Sequence, residues 1–155
     1  MGAKGAPPPG YKRLKHGITM DSGSNVDILP ADELPQFAVK PPTGIRRGKK
    51  LAAANGTAIE VNGEHLVQFT VKEGHDLEWP FLVGDFKKAL KSVGTTCDAG
   101  NYVLYTEWGG YIINAKSHKH IEFHRVRNTY AIDAFVRDKA KPLKPKGFQR
   151  KAAAP

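Results

Sequence analysis

Cysteine is nearly absent from this chain: Cys97 is the single thiol among 155 residues. A lone cysteine excludes an internal disulfide, and with it the disulfide-stapled secreted scaffolds. An intracellular, reducing setting is the simplest expectation, either the cytoplasm or an organelle such as the mitochondrion. Long apolar runs are missing too. No stretch is long enough to span a bilayer, so no membrane partner is expected. The opening Gly-Ala-Lys-Gly-Ala-Pro-Pro-Pro carries no apolar core of a secretory signal. Met1-Gly2 is not a myristoylation site, because Ala6 stands where Ser or Thr is required.

Acid is scarce at both ends. Residues 1–17 hold Lys4, Lys12, Arg13 and Lys15 with no carboxylate, a charge of +4. Residues 137–155 hold Arg137, Lys139, Lys141, Lys144, Lys146, Arg150 and Lys151 against Asp138, a charge of +6. The stretch 18–136 is near neutral at −1, so the net +9 of the chain resides in its ends. Both ends are poor in large apolar residues and contain Pro7 to Pro9, Pro142, Pro145 and Pro155. Such segments bury too little surface to offset chain entropy and are expected to be disordered alone. Their charge suits a polyanion such as RNA. The plainer reading makes them solubilising linkers of a longer polyprotein. The organisation expected is a basic Pro/Gly-rich tail at 1–17, one domain at 18–136 and a basic Lys/Pro-rich tail at 137–155.

What is present between the tails is a series of short strand patterns. Residues 30–44, with Pro30, Pro35, Pro41 and Pro42, read as loop. Leu51 to Ala54 and Thr57 to Val61 flank Asn55-Gly56, a hairpin signal, with Asn62-Gly63 ending the second strand. His65 to Val71 alternates, with Val67 and Phe69 on one side and Leu66, Gln68 and Thr70 on the other. Trp79 to Val83 is a further apolar run. Phe86, Ala89, Leu90, Val93 and Cys97 fall at helical spacing, which predicts one helix over 86–97 with Cys97 in its apolar face as inert core. Tyr102 to Tyr105, Gly110 to Ile113, His120 to Phe123 and Thr129 to Val136 read as strands, with a turn at Asn128-Thr129.

The most informative local pattern is Met20-Asp21-Ser22-Gly23-Ser24. Apolar Ile18-Thr19-Met20 delivers one carboxylate to a sharp Ser-Gly turn, and Val26 and Ile28-Leu29 follow. Aspartic proteases hold their catalytic acid in this way. A short carboxylate before Ser-Gly can also simply close an Asx-turn.

Further stretches follow in order: Ala53-Ala54-Asn55-Gly56-Thr57, Ile59-Glu60-Val61-Asn62-Gly63, Phe81 to Val93 with Lys87-Lys88-Ala89-Leu90-Lys91-Ser92-Val93, and Asp98-Ala99-Gly100-Asn101-Tyr102-Val103-Leu104-Tyr105. Together these resemble the retropepsin-like aspartic protease domain of copia-type and related protist retrotransposon polyproteins, over about 18–136. The resemblance implies an all-β, retropepsin-like (acid protease) small barrel with one short helix and a C-terminal β extension from Gly110 to Val136. It implies a homodimer with one Asp21 per chain, Ser22 bracing the two loops, Gly23 permitting their approach, and a flap at Ala54, Asn55, Gly56 and Thr57. Asp98-Ala99-Gly100 is no second acid motif, because it lacks the hydroxyl and follows the helix. Lys91 departs from the pattern, standing where these enzymes are apolar, and suggests a surface that meets solvent or a different partner.

Other candidates read more plainly. His118, His120, Glu122 and His124 share one strand face, but Ile121 and Phe123 form the core face. The histidines therefore face solvent beside Lys116 and Lys119, and no metal or cofactor is expected. Arg125 and Arg127 extend that basic face towards RNA. Arg46, Arg47, Lys49 and Lys50 form a further cluster able to contact phosphate. Trp79, Trp108 and Tyr111 are expected in core or rim packing. Two functions follow as expectations. One is a homodimeric aspartic endopeptidase. The other is a catalytically idle, domesticated copy anchored by RNA and neighbouring proteins as a structural subunit of a ribonucleoprotein, such as an organellar ribosome.

Overall fold

A computed structural model of the chain describes residues 6–34, 50–52 and 58–138, with side chains from 6–34 and 61–138. Its elements in order are β1 (Tyr11–Arg13), β2 (Ile18–Asp21), β3 (Ile28–Pro30), β4 (Lys50–Ala52), β5 (Ala58–Thr70), β6 (Asp76–Gly84), β7 (Ala89–Ser92), α1 (Val93–Asp98), β8 (Asn101–Tyr105), β9 (Gly109–Asn114), β10 (His120–Val126), β11 (Thr129–Ile132) and β12 (Phe135–Arg137). The fold is all-β with one short helix among the described residues. None of its helices there is long and apolar enough to cross a membrane.

The strands follow one another in the sheet as β1-β12-β5-β6-β3-β7-β2-β11-β10-β9-β8, with β4 added to β5. The two ends of that path, β1 and β8, do not meet, so the expected small barrel is corrected to an open sheet among the described residues. The reason is local. β11 lies against β2, and the hairpins β10-β11, β9-β10 and β8-β9 carry the sheet outward from there.

Several boundaries differ from the sequence expectation, each for a pairing reason. Tyr11 to Arg13, inside the expected N-terminal tail, pair with Arg137 to Phe135, and Leu14 is buried. The run from Thr129 to Val136 is two strands, because β11 pairs with β10 and β2 whereas β12 pairs with β1 and β5. Asn62-Gly63 does not end a strand: β5 runs on through a bulge between Val61 and Gly63. The hairpin around Asn55-Gly56 is present as β4 against β5, joined by residues 53–57. Ala54, Asn55, Gly56 and Thr57 themselves lie outside the described residues. So do Lys4, Arg46, Arg47, Lys49, Lys139, Lys141, Lys144, Lys146, Arg150 and Lys151.

The largest correction concerns the expected helix. Ala89 to Ser92 is a strand, parallel to β2 and antiparallel to β3, and the helix begins only at Val93. Ser92 caps it, its side chain accepting from Thr95 N at 3.2 Å. With the helix starting late, Thr96 is its buried residue and Cys97 is exposed rather than core.

Alternation places the core as expected in β5 and β10. Val67 and Phe69 are buried while Leu66 is exposed, and Ile121 and Phe123 are buried. Phe69, Phe81 and Phe123 are almost wholly enclosed, each worth on the order of 2–3 kcal/mol in transfer from water.

One buried ion pair ties the sheet's centre together. Asp27, in the loop before β3, accepts from Lys91 Nζ at 2.9 Å and from Ser92 N at 2.7 Å. Lys91 is 7% exposed and its ammonium lies 4.7 Å from the Trp79 ring centroid. Lys91 therefore does not meet solvent, contrary to expectation. Trp79 also packs edge-on against Phe69 at 4.9 Å, as expected of core or rim packing. Asp27→Ala strands a buried ammonium and is expected to cost about 3–5 kcal/mol. Lys72→Ala, which breaks an exposed pair with Glu122, is expected to cost less than about 1 kcal/mol. Denaturant unfolding followed by tryptophan fluorescence compares the two, and equal losses would contradict this ranking.

Candidate active-site cleft

β7, β2 and β11 lie side by side and present two faces. Ile18, Met20 and Ala89 point into the core cluster. Alternation turns Thr19 and Asp21 of β2, and Leu90 of β7, to the opposite face. That face is the floor of an open cleft of about 430 Å³, lined by Thr19, Met20, Asp21, Ser22, Lys88, Leu90, Tyr105 and residues 128–130.

Asp21 is the last residue of β2, opposite Ser92 in the register with β7. Its Oδ1 accepts from Gly23 N at 2.8 Å, closing an Asx-turn. The bracing of this loop within one chain falls to Ser24, not Ser22. Ser24 Oγ donates to Val26 O at 2.6 Å, and Ser22 is exposed. At Gly23 an added Cβ would meet only Asp21 Oδ1, at 3.4 Å, so the single chain does not itself demand glycine there.

The side wall is aromatic. Tyr105 and Tyr130 pack edge to face at 4.7 Å, with Phe123 behind them at 5.4 Å from Tyr105. Gly110 makes this possible, because a Cβ there would lie 2.0 Å from Leu104 O and 2.6 Å from the Phe123 ring. Tyr105 Oη donates to Met20 O at 3.4 Å, and Tyr130 Oη donates to Thr106 O at 3.0 Å. Burial pushes the Tyr105 phenol above its usual range, and the nearby Asp21 carboxylate pushes it further. The phenol is thus neutral and a donor across the working range.

Neither tyrosine was singled out for the site, because their approach to Asp21 depends on β11 lying beside β2. Asp27 was also missed. Its signal was present: a charged residue inside the apolar run Val26-Asp27-Ile28-Leu29 calls for a buried partner.

Of the expected nucleic-acid residues that are described, Lys12, Arg13 and Arg137 lie together on the paired strands β1 and β12. Arg13 pairs with Asp133 at 3.0 Å and stacks on Phe135, while Arg137 stacks on Tyr11. The Lys12 backbone pairs with Val136, Lys15 is exposed, and the Lys50 backbone pairs with Glu60. The Arg125 guanidinium joins two turns, donating to Arg127 O, Glu107 O and Asn128 Oδ1. His118 sits in a turn at φ 64°, away from His120 and His124 on β10. Tyr111 packs against His120, but Trp108 is 79% exposed, which corrects its expected core or rim packing.

An alkaline absorbance titration is expected to show a tyrosine ionising above the ordinary phenol value of 10.0, a step absent in Tyr105→Phe. The raised phenol pKa adds stability that is complete below the unfolded value near 10.0 and is lost as pH rises through the folded value. Asp21→Asn is expected to bring Tyr105 part of the way back, since burial is the larger cause. An unchanged Tyr105 titration would refute the proximity of the two groups.

Comparison with protein-family models, with curated proteins and with solved structures finds no match for this chain, so the functional reading of the cleft rests on its own residues.

Proposed function

We propose that the chain is half of a retropepsin-like aspartic endopeptidase, active as a homodimer with one Asp21 from each copy. The observation that carries the reading is a carboxylate at the end of a central strand, held in a tight turn on the floor of an open cleft. Peptide hydrolysis of this kind needs two carboxylates that share one proton, one activating water and the other protonating the carbonyl. Among the described residues lining this cleft Asp21 is the only acid, so on this reading the second comes from a second copy. Gly23 fits that arrangement, since its lack of a side chain serves no need inside one chain but would let two turns approach. Asp21 Oδ1 is engaged by Gly23 N, which leaves Oδ2 to face its counterpart.

The RNA-anchored structural reading draws mainly on cations outside the described residues. Of those described, Arg13 and Arg137 are engaged in contacts within the fold.

Sedimentation at increasing protein concentration, paired with cleavage of a mixed peptide library, tests the proposal. The expected result is a dimer whose cleavage activity falls faster than protein concentration on dilution. Asp21→Asn is expected to lower the rate at least a hundredfold while leaving unfolding midpoints within about 1 kcal/mol of the parent. A persistent monomer that cuts nothing and binds RNA in a steeply salt-dependent way would overturn it in favour of the structural subunit.

A further inference from the structure

We propose that Lys88 makes the cleft selective for peptides carrying an Asp or Glu side chain beside the apolar residue at the cut bond, an inference that rests on the peptidase reading. Among the described residues, the two charged side chains lining the cleft are Asp21 and Lys88. Asp21 is committed to the chemistry, which leaves Lys88 to meet the substrate.

Two lysines three positions apart are used in different ways. Lys91 shares the core face of β7 with Ala89, and its ammonium is consumed by Asp27 at 2.9 Å. Lys88 immediately precedes β7 and shares the cleft face with Leu90. Lys88 is half-buried where it lines the cleft, a setting in which a lysine stem packs along apolar surface while its ammonium keeps to water. Among the described residues it takes part in no ion pair.

The rest of the lining defines what lies next to that charge. Leu90, Tyr105 and Tyr130 offer apolar and aromatic surface for one side chain of the substrate. A carboxylate one or two residues along an extended peptide would reach the Lys88 ammonium in a partly desolvated setting, where a charge pair is worth more than in open water. A basic side chain at the same place would meet like charge, so the site rejects as well as selects.

The test uses the full chain and a mixed-sequence peptide library, followed by matched fluorogenic peptides that differ only in Glu against Gln beside the cut bond. Wild type is expected to prefer the Glu peptide by about tenfold in kcat/KM, a preference that shrinks as salt rises. Lys88→Glu is expected to reverse the preference and Lys88→Arg to keep it. Lys87→Glu, at the exposed neighbour, is expected to leave it unchanged. Cleavage without an acidic preference, or a preference that survives Lys88→Glu, would overturn this inference alone. Absence of cleavage by wild type would overturn the peptidase reading and this inference with it.

Discussion

The Asp27 carboxylate is the constraint on which the site's geometry depends. One of its oxygens accepts from Ser92 N, and the other pairs with Lys91. Ser92 is both the end of β7 and the cap of α1, and it stands opposite Asp21 in the parallel register with β2. The Asp27 backbone carbonyl accepts from Leu82 N of β6 at 2.9 Å. A single acid therefore fixes the loop after the Asp21 turn, the strand beside it and the start of the helix. Taking two charges out of water is costly, and the cost is offset only because both carboxylate oxygens find donors. Removal of either partner leaves the other charge enclosed, which makes the junction intolerant of drift.

That anchoring gives β2 its two-sided character. Ile18 and Met20 are locked into the core beside Ala89, and the alternation of a strand then forces Thr19 and Asp21 onto the open face. A shift of one residue in the β2–β7 register would bury Asp21 and expose Met20. The buried pair and the apolar core thus oppose the same error from opposite sides of the strand.

Legibility in the sequence followed how local each feature is. The alternation of His65 to Val71 and of His120 to Phe123 reports directly on one buried face, and both strands were readable. The Asp21 turn was readable too, because Asp, Ser and Gly act within a few residues of one another. β7 was not. Its core face carries Ala89 and the ion-paired Lys91 while apolar Leu90 faces the cleft, so the alternation does not show and Ala89-Leu90 joined with Phe86 and Val93 to imitate a helical period. That error carried Cys97 into a core it does not occupy. β1 was hidden because Tyr11-Lys12-Arg13 has no pattern of its own and becomes a strand only through pairing with β12, far along the chain. The aromatic wall was hidden for the same reason: Tyr105 and Tyr130 belong to strands that reach β2 only through the order of the sheet.

An Asx-turn and a catalytic acid are rival explanations of an Asp-Ser-Gly sequence only if they need the same oxygen, and on the proposed peptidase reading they would not. The turn occupies Oδ1, and this fixes the plane of the carboxylate without exhausting it. A carboxylate with one oxygen pinned is poorly suited to a swinging surface ion pair and well suited to facing a like group at fixed distance. Two such groups cannot both stay charged at close range, so they hold one proton between them. The neutral Tyr105 phenol, kept protonated by burial and by Asp21 itself, adds no further negative charge to that pair. On the proposed peptidase reading, what the single chain would still need is a second copy of the turn it already holds in place.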